Sequence, residues 1–125
     1  MANNPICTSL EQSQMLVDLG IDIETADMYY VLYKNRLPRL NIKYDSFPYD
    51  LVEFTPAWSL SALTDLLPSF IRQNDKEYVL TMLNIGRVVY FNPKEQNLFE
   101  ADRMTLLDAV VETIEWVNRN RYVNK

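Results

Sequence analysis

Apolar residues recur at helical spacing in some stretches of the chain and alternate with polar ones in others. Leu10, Met15, Leu16 and Leu19 form one helical stripe. Ahead of it, residues 8–12 offer a capping box in two registers, Thr8 with Glu11 or Ser9 with Gln12. Gly20 supplies the left-handed residue that stops a helix, so the pattern predicts a first helix over residues 9–19. Residues 21–27 are a short acidic connector. Met28-Tyr29-Tyr30-Val31-Leu32-Tyr33 is β-branched and aromatic, which suits a strand. Both of its faces are bulky, which predicts a central strand or one covered on both sides. Residues 35–38 read as a turn. Leu40, Ile42 and Tyr44 then alternate with Asn41 and Lys43, the pattern of a strand with one wet face. Phe47-Pro48-Tyr49 interrupts, and residues 51–55 predict a short strand that stops before Pro56.

In the second half, Ser59 marks a helix start, with Trp58 before it and Leu63 four positions after it at the spacing of a hydrophobic staple. Leu60, Leu63, Leu66 and Leu67 supply the apolar face, and Pro68, which lacks an amide donor, ends or kinks the helix. Residues 78–85 read as a strand, Gly86 as a turn and residues 88–91 as the hairpin partner. Asn92-Pro93 breaks the pattern, and residues 97–100 suggest another short strand. The last helix is the clearest element. Thr105 caps it, Asp108 favours its positive end, and Leu107, Val110, Val111, Ile114 and Val117 mark one stripe. Arg119 and Arg121 stand near its C-terminal end, where cations are favoured. Short turns between strands favour antiparallel pairing. The expected class is α+β: an antiparallel sheet of four to six strands with about three helices packed mainly on one face. With no linker or low-complexity stretch, residues 1–125 read as a single globular domain.

Composition narrows the function. Hydrophobic residues make up 48% and aromatics 12% of the chain, enough for a substantial core. Twelve basic against 17 acidic residues give a net charge of −5. That balance argues against phosphate-driven nucleic-acid binding and against an anionic membrane surface. No apolar run approaches the roughly 20 residues of a membrane span. Met1-Ala2-Asn3-Asn4-Pro5 lacks the charge and apolar run of a signal peptide, so a cytoplasmic location is expected.

Much familiar chemistry is missing. The chain has no histidine, which removes Ser-His-Asp triads, Cys-His pairs and histidine metal sites. With one cysteine, Cys7, there is no internal disulfide, and no neighbouring cation activates it. Gly20 and Gly86 are the two glycines, too few for a glycine-rich phosphate cradle. Asp22, Glu24 and Asp27 resemble half a calcium loop, but its glycine and closing glutamate are absent. Glu95, Glu100 and Asp102 form a second acidic group. Asn41-Ile42-Lys43 puts an amide where a carboxylate-plus-lysine nuclease site needs an acid. No catalytic residue, cofactor or metal is expected.

Four segments resemble a known family together: Ser9-Leu10-Glu11-Gln12-Ser13, Ala26-Asp27-Met28-Tyr29-Tyr30-Val31, Pro56-Ala57-Trp58-Ser59-Leu60-Ser61-Ala62-Leu63 running to Asp65-Leu66-Leu67-Pro68, and Leu107-Asp108-Ala109-Val110-Val111-Glu112. The chain resembles small uncharacterised proteins of prophages and other mobile elements of anaerobic gut bacteria. The resemblance implies a setting, an accessory protein of a phage or integrated element, and carries no activity or functional residues with it.

The expected function is a non-enzymatic protein–protein interaction module with a host or phage protein as partner, a homodimer being one form of it. Tyr29, Val31 and Tyr33 share one face of a strand and are the candidate partner-binding residues, since an open aromatic face makes an amphipathic contact patch. The alternative is a small enzyme or small-molecule binder built on carboxylates and tyrosines, which requires a pocket of convergent acids.

Overall fold

The computed structural model describes residues 5–32, 39–42 and 53–122, with side chains at all of these except 31–32, 39–42 and 53–54. Contacts divide the chain into two compact units that meet in sequence at residues 62 and 63.

The unit within residues 6–62 holds helix α1 (Leu10–Asp18), a 3₁₀ turn (Ile23–Thr25) and strands β1 (Met28–Leu32), β2 (Arg39–Ile42) and β3 (Glu53–Ala57). Its sheet is antiparallel with the order β2-β1-β3. The strand that is bulky on both faces is therefore the central one, as its composition requires.

Of the two capping registers, Ser9 with Gln12 forms. Ser9 Oγ accepts from Gln12 N at 3.1 Å, and Gln12 Oε1 accepts from Ser9 N at 2.9 Å. Thr8 is committed elsewhere. Its buried hydroxyl lies 2.8 Å from Ser13 Oγ and accepts from Trp58 N at 3.1 Å, while its own N–H donates to the Trp58 carbonyl at 2.9 Å. Gly20, at φ +89°, follows the helix as expected. β3 runs through Pro56, where the sequence pattern predicts an end. β3 is an edge strand, and a residue without an N–H is tolerated there. The turn at 35–38, Tyr44 and the 47–49 interruption lie outside the described residues.

The expected 59–67 helix is short: α2 spans Leu60–Thr64, with Ser59 Oγ accepting from Ala62 N at 3.2 Å. Beyond it Leu66 N donates to Leu63 O at 3.0 Å and Leu67 N to Thr64 O at 3.1 Å. These bonds to the third residue back tighten the chain into turns, a common way for a helix end to satisfy its carbonyls. Pro68 adds no donor and disfavours helical geometry at Leu67.

The second unit carries β4 (Phe70–Gln73), β5 (Lys76–Leu83), β6 (Arg87–Phe91), β7 (Phe99–Asp102) and helix α3 (Leu106–Arg119). The strands form an antiparallel meander in sequence order. β4 has no counterpart among the predicted strands. It is joined to β5 by Asn74 and Asp75, both at positive φ (53° and 63°), the backbone of a two-residue type I′ hairpin turn.

α3 packs against β6 and β7. Every residue of its predicted stripe is buried, and Thr105 Oγ1 accepts from Asp108 N at 3.1 Å. The sheet face it covers buries Ile71, Tyr78, Val88, Tyr90 and Ala101. Tyr90 donates its hydroxyl hydrogen to the Pro68 carbonyl at 2.8 Å. Trp116 stacks on Phe99 at 4.3 Å between ring centroids and meets Tyr122 at 5.1 Å.

The α+β class and a four-stranded antiparallel sheet are present, and a separate three-stranded sheet takes the other strands among the described residues. Among the described residues no helix is long and apolar enough to cross a membrane.

Candidate protein-binding surface

Side chains alternate across a strand, so the face of the four-stranded sheet opposite to Tyr78 and Tyr90 is fixed by register. On β5 it presents Val79, Thr81 and Leu83. Phe70 of β4 pairs with Val79, and Val79 pairs with Phe91 of β6, so three large apolar side chains stand in one cross-strand row. All three are open to solvent, at 48%, 49% and 44% exposure. Leu83 extends the apolar character along β5 toward the hairpin tip.

Charges border the row in cross-strand pairs. Arg72 lies 3.7 Å from Glu77, its register partner, and Arg87 lies 3.1 Å from Glu100. Exposed pairs of this kind add little stability. They do matter for recognition, because each arginine on the face is matched by a carboxylate, and no excess of positive charge faces a polyanion.

At the end of β5, Arg103 N donates to Gly86 O at 2.9 Å and pins the hairpin tip to the loop before α3. The neighbours of these two residues, Ile85 and Met104, are the most exposed large hydrophobics described, at 75% and 86%.

The residues singled out in the sequence do not make this surface. Tyr29 is 4% exposed and belongs to the core of its unit, which corrects its expected place on an open face. As part of a central strand it is flanked by β2 and β3, pairing with Asn41 and Pro56. The Val31 side chain and Tyr33 lie outside the described residues.

No pattern in the sequence singles out Phe70, Val79 and Phe91 as a surface. The Asn74-Asp75 pair between Phe70-Ile71-Arg72-Gln73 and the next strand is a hairpin signal that exposes β4 in the sequence. Which face of the sheet stays open is settled by α3, and no local pattern records that.

The polar groups of the first unit have structural roles. Cys7 is buried, donates to the Thr8 carbonyl at 3.3 Å and lies 3.6 Å from Tyr30 Oη. Burial pushes its thiol pKa up, outweighing the hydrogen bond to Tyr30 and helped by the charge of Asp27. The protonated thiol is a poor nucleophile. Burial and then Cys7 push Tyr30 up to about 12, and its hydroxyl donates to the Thr8 carbonyl at 2.9 Å.

Of the first acidic group, Asp22 caps the 3₁₀ turn by accepting from Glu24 N at 3.0 Å. Asp27 accepts from Ser59 N at 2.8 Å and from the Ser59 hydroxyl, tying the start of β1 to the segment after β3. In the second group Glu95 pairs with Lys76, and Glu100 with Arg87. Among the described residues no three of Cys, Asp and Glu converge as a metal-holding group.

Comparison with protein-family models, curated proteins and solved structures gives no match to this chain.

Proposed function

We propose that the protein is a non-enzymatic protein-binding module and that the open face of its four-stranded sheet is the contact surface. The supporting observation is the row Phe70–Val79–Phe91, three large apolar side chains exposed side by side on a regular sheet. Large contiguous apolar patches on soluble proteins mark contact sites, and aromatic side chains are the usual anchors. Because the bordering arginines are matched by glutamates, the partner fitting this face is a protein surface with apolar side chains and little net charge, and nucleic acid is disfavoured. A cytoplasmic setting and a role as accessory protein of a phage or mobile element belong to the same proposal. The latter rests on the resemblance of residues 9–13, 26–31, 56–68 and 107–112.

The test compares the wild type with a Val79→Lys/Phe91→Glu double variant, whose opposite charges suit two directly paired positions. Tagged proteins are used to capture partners from lysate, and sedimentation across a concentration range reads self-association. Both substitutions sit on the solvated face, so the circular-dichroism spectrum and melting temperature should stay close to wild type. The expected result is a specific association, with another protein or with a second copy, that the double variant loses. Association retained in full by a folded double variant would remove this face as the contact surface.

A further inference from the structure

We draw no further inference here: the strongest candidate, the exposed Ile85 at the β5–β6 hairpin tip and Met104 in the loop before α3, carries nothing because nothing in the structure shows what covers it.

Discussion

The indole Nε1–H of Trp58 donates to Thr25 Oγ1 at 2.9 Å, joining a fully buried aromatic to the 3₁₀ turn 33 residues earlier in the chain. The ring thus contributes both apolar burial and a long-range polar tie within the 6–62 unit. Trp58→Ala should destabilise the fold by about 3–5 kcal/mol, the usual cost of emptying a large aromatic site. Trp58→Phe should cost less, since most of the burial survives. Urea unfolding followed by circular dichroism measures both. An unchanged midpoint together with lost association would make Trp58 an interface residue instead.

Thr8 offers a sharper test of the polar interior. Its hydroxyl contacts Ser13 Oγ and Trp58 N, all within buried surroundings. Thr8→Val keeps the shape and removes the oxygen, leaving the Trp58 amide without this acceptor. A loss of about 1–3 kcal/mol is expected, the cost of an unsatisfied buried donor. Thr8→Ser, which retains the hydroxyl, should recover a good part of it. A larger loss in Thr8→Ser than in Thr8→Val would show that the methyl group, and not the hydrogen bonds, carries the effect.

The two glycines should respond differently to alanine. Both have positive φ, +89° at Gly20 and +90° at Gly86. A Cβ at Gly20 meets nothing within 4 Å, so the cost there is the left-handed backbone alone, about 1–2 kcal/mol. At Gly86 the added Cβ would collide with the Arg103 carbonyl oxygen, which is part of the backbone and cannot swing away. Gly86→Ala should therefore lower the melting temperature considerably more than Gly20→Ala. A smaller drop at Gly86 would mean that the loop before α3 shifts without penalty.

Alkaline pH should unfold the protein earlier than ordinary tyrosines would. Tyr30 is raised from 10.0 to about 12, and burial raises Tyr90 further. Cys7 is raised from 9.0 in the same direction. Each group holds its proton more tightly when folded. Their contribution is fully present below the unfolded values and is lost as pH rises through the folded ones. Stability should hold steady at neutral pH and fall from about pH 9 toward pH 12, following the model-peptide values of cysteine and tyrosine. Tyrosinate absorbance recorded beside the unfolding midpoint checks this. Tyrosines that all titrate normally in a still-folded protein would contradict it.

Local chemistry was readable from the chain where neighbours in sequence are neighbours in space. The buried stripe Leu107, Val110, Val111, Ile114 and Val117 follows from the helical repeat, and Thr105 and Ser9 cap through residues three positions on. Choosing between Thr8 and Ser9 at the first cap needed Trp58, fifty positions away, whose backbone amide engages the Thr8 hydroxyl. β3 continues through Pro56, against the sequence pattern, because a proline ends a strand only where its missing N–H faces a partner strand, and β3 lies at the edge of the described sheet.

The candidate surface shows the same division. Periodicity marks residues 78–85 as a strand with alternating faces, and Asn74-Asp75 encodes the turn that adds β4. Neither reveals that Tyr29 is core while Phe70, Val79 and Phe91 are open. Exposure is a property of what packs on a strand. Tyr29 is packed into its unit's core, whereas α3 packs on one face of the second sheet and the row Phe70–Val79–Phe91 on the other face stays open. Hydrogen-bonding propensities, caps and turns act over a few residues and are written in the chain. Burial depends on contacts between distant segments, so the tertiary structure decided which of the aromatic and aliphatic side chains remain available to a partner.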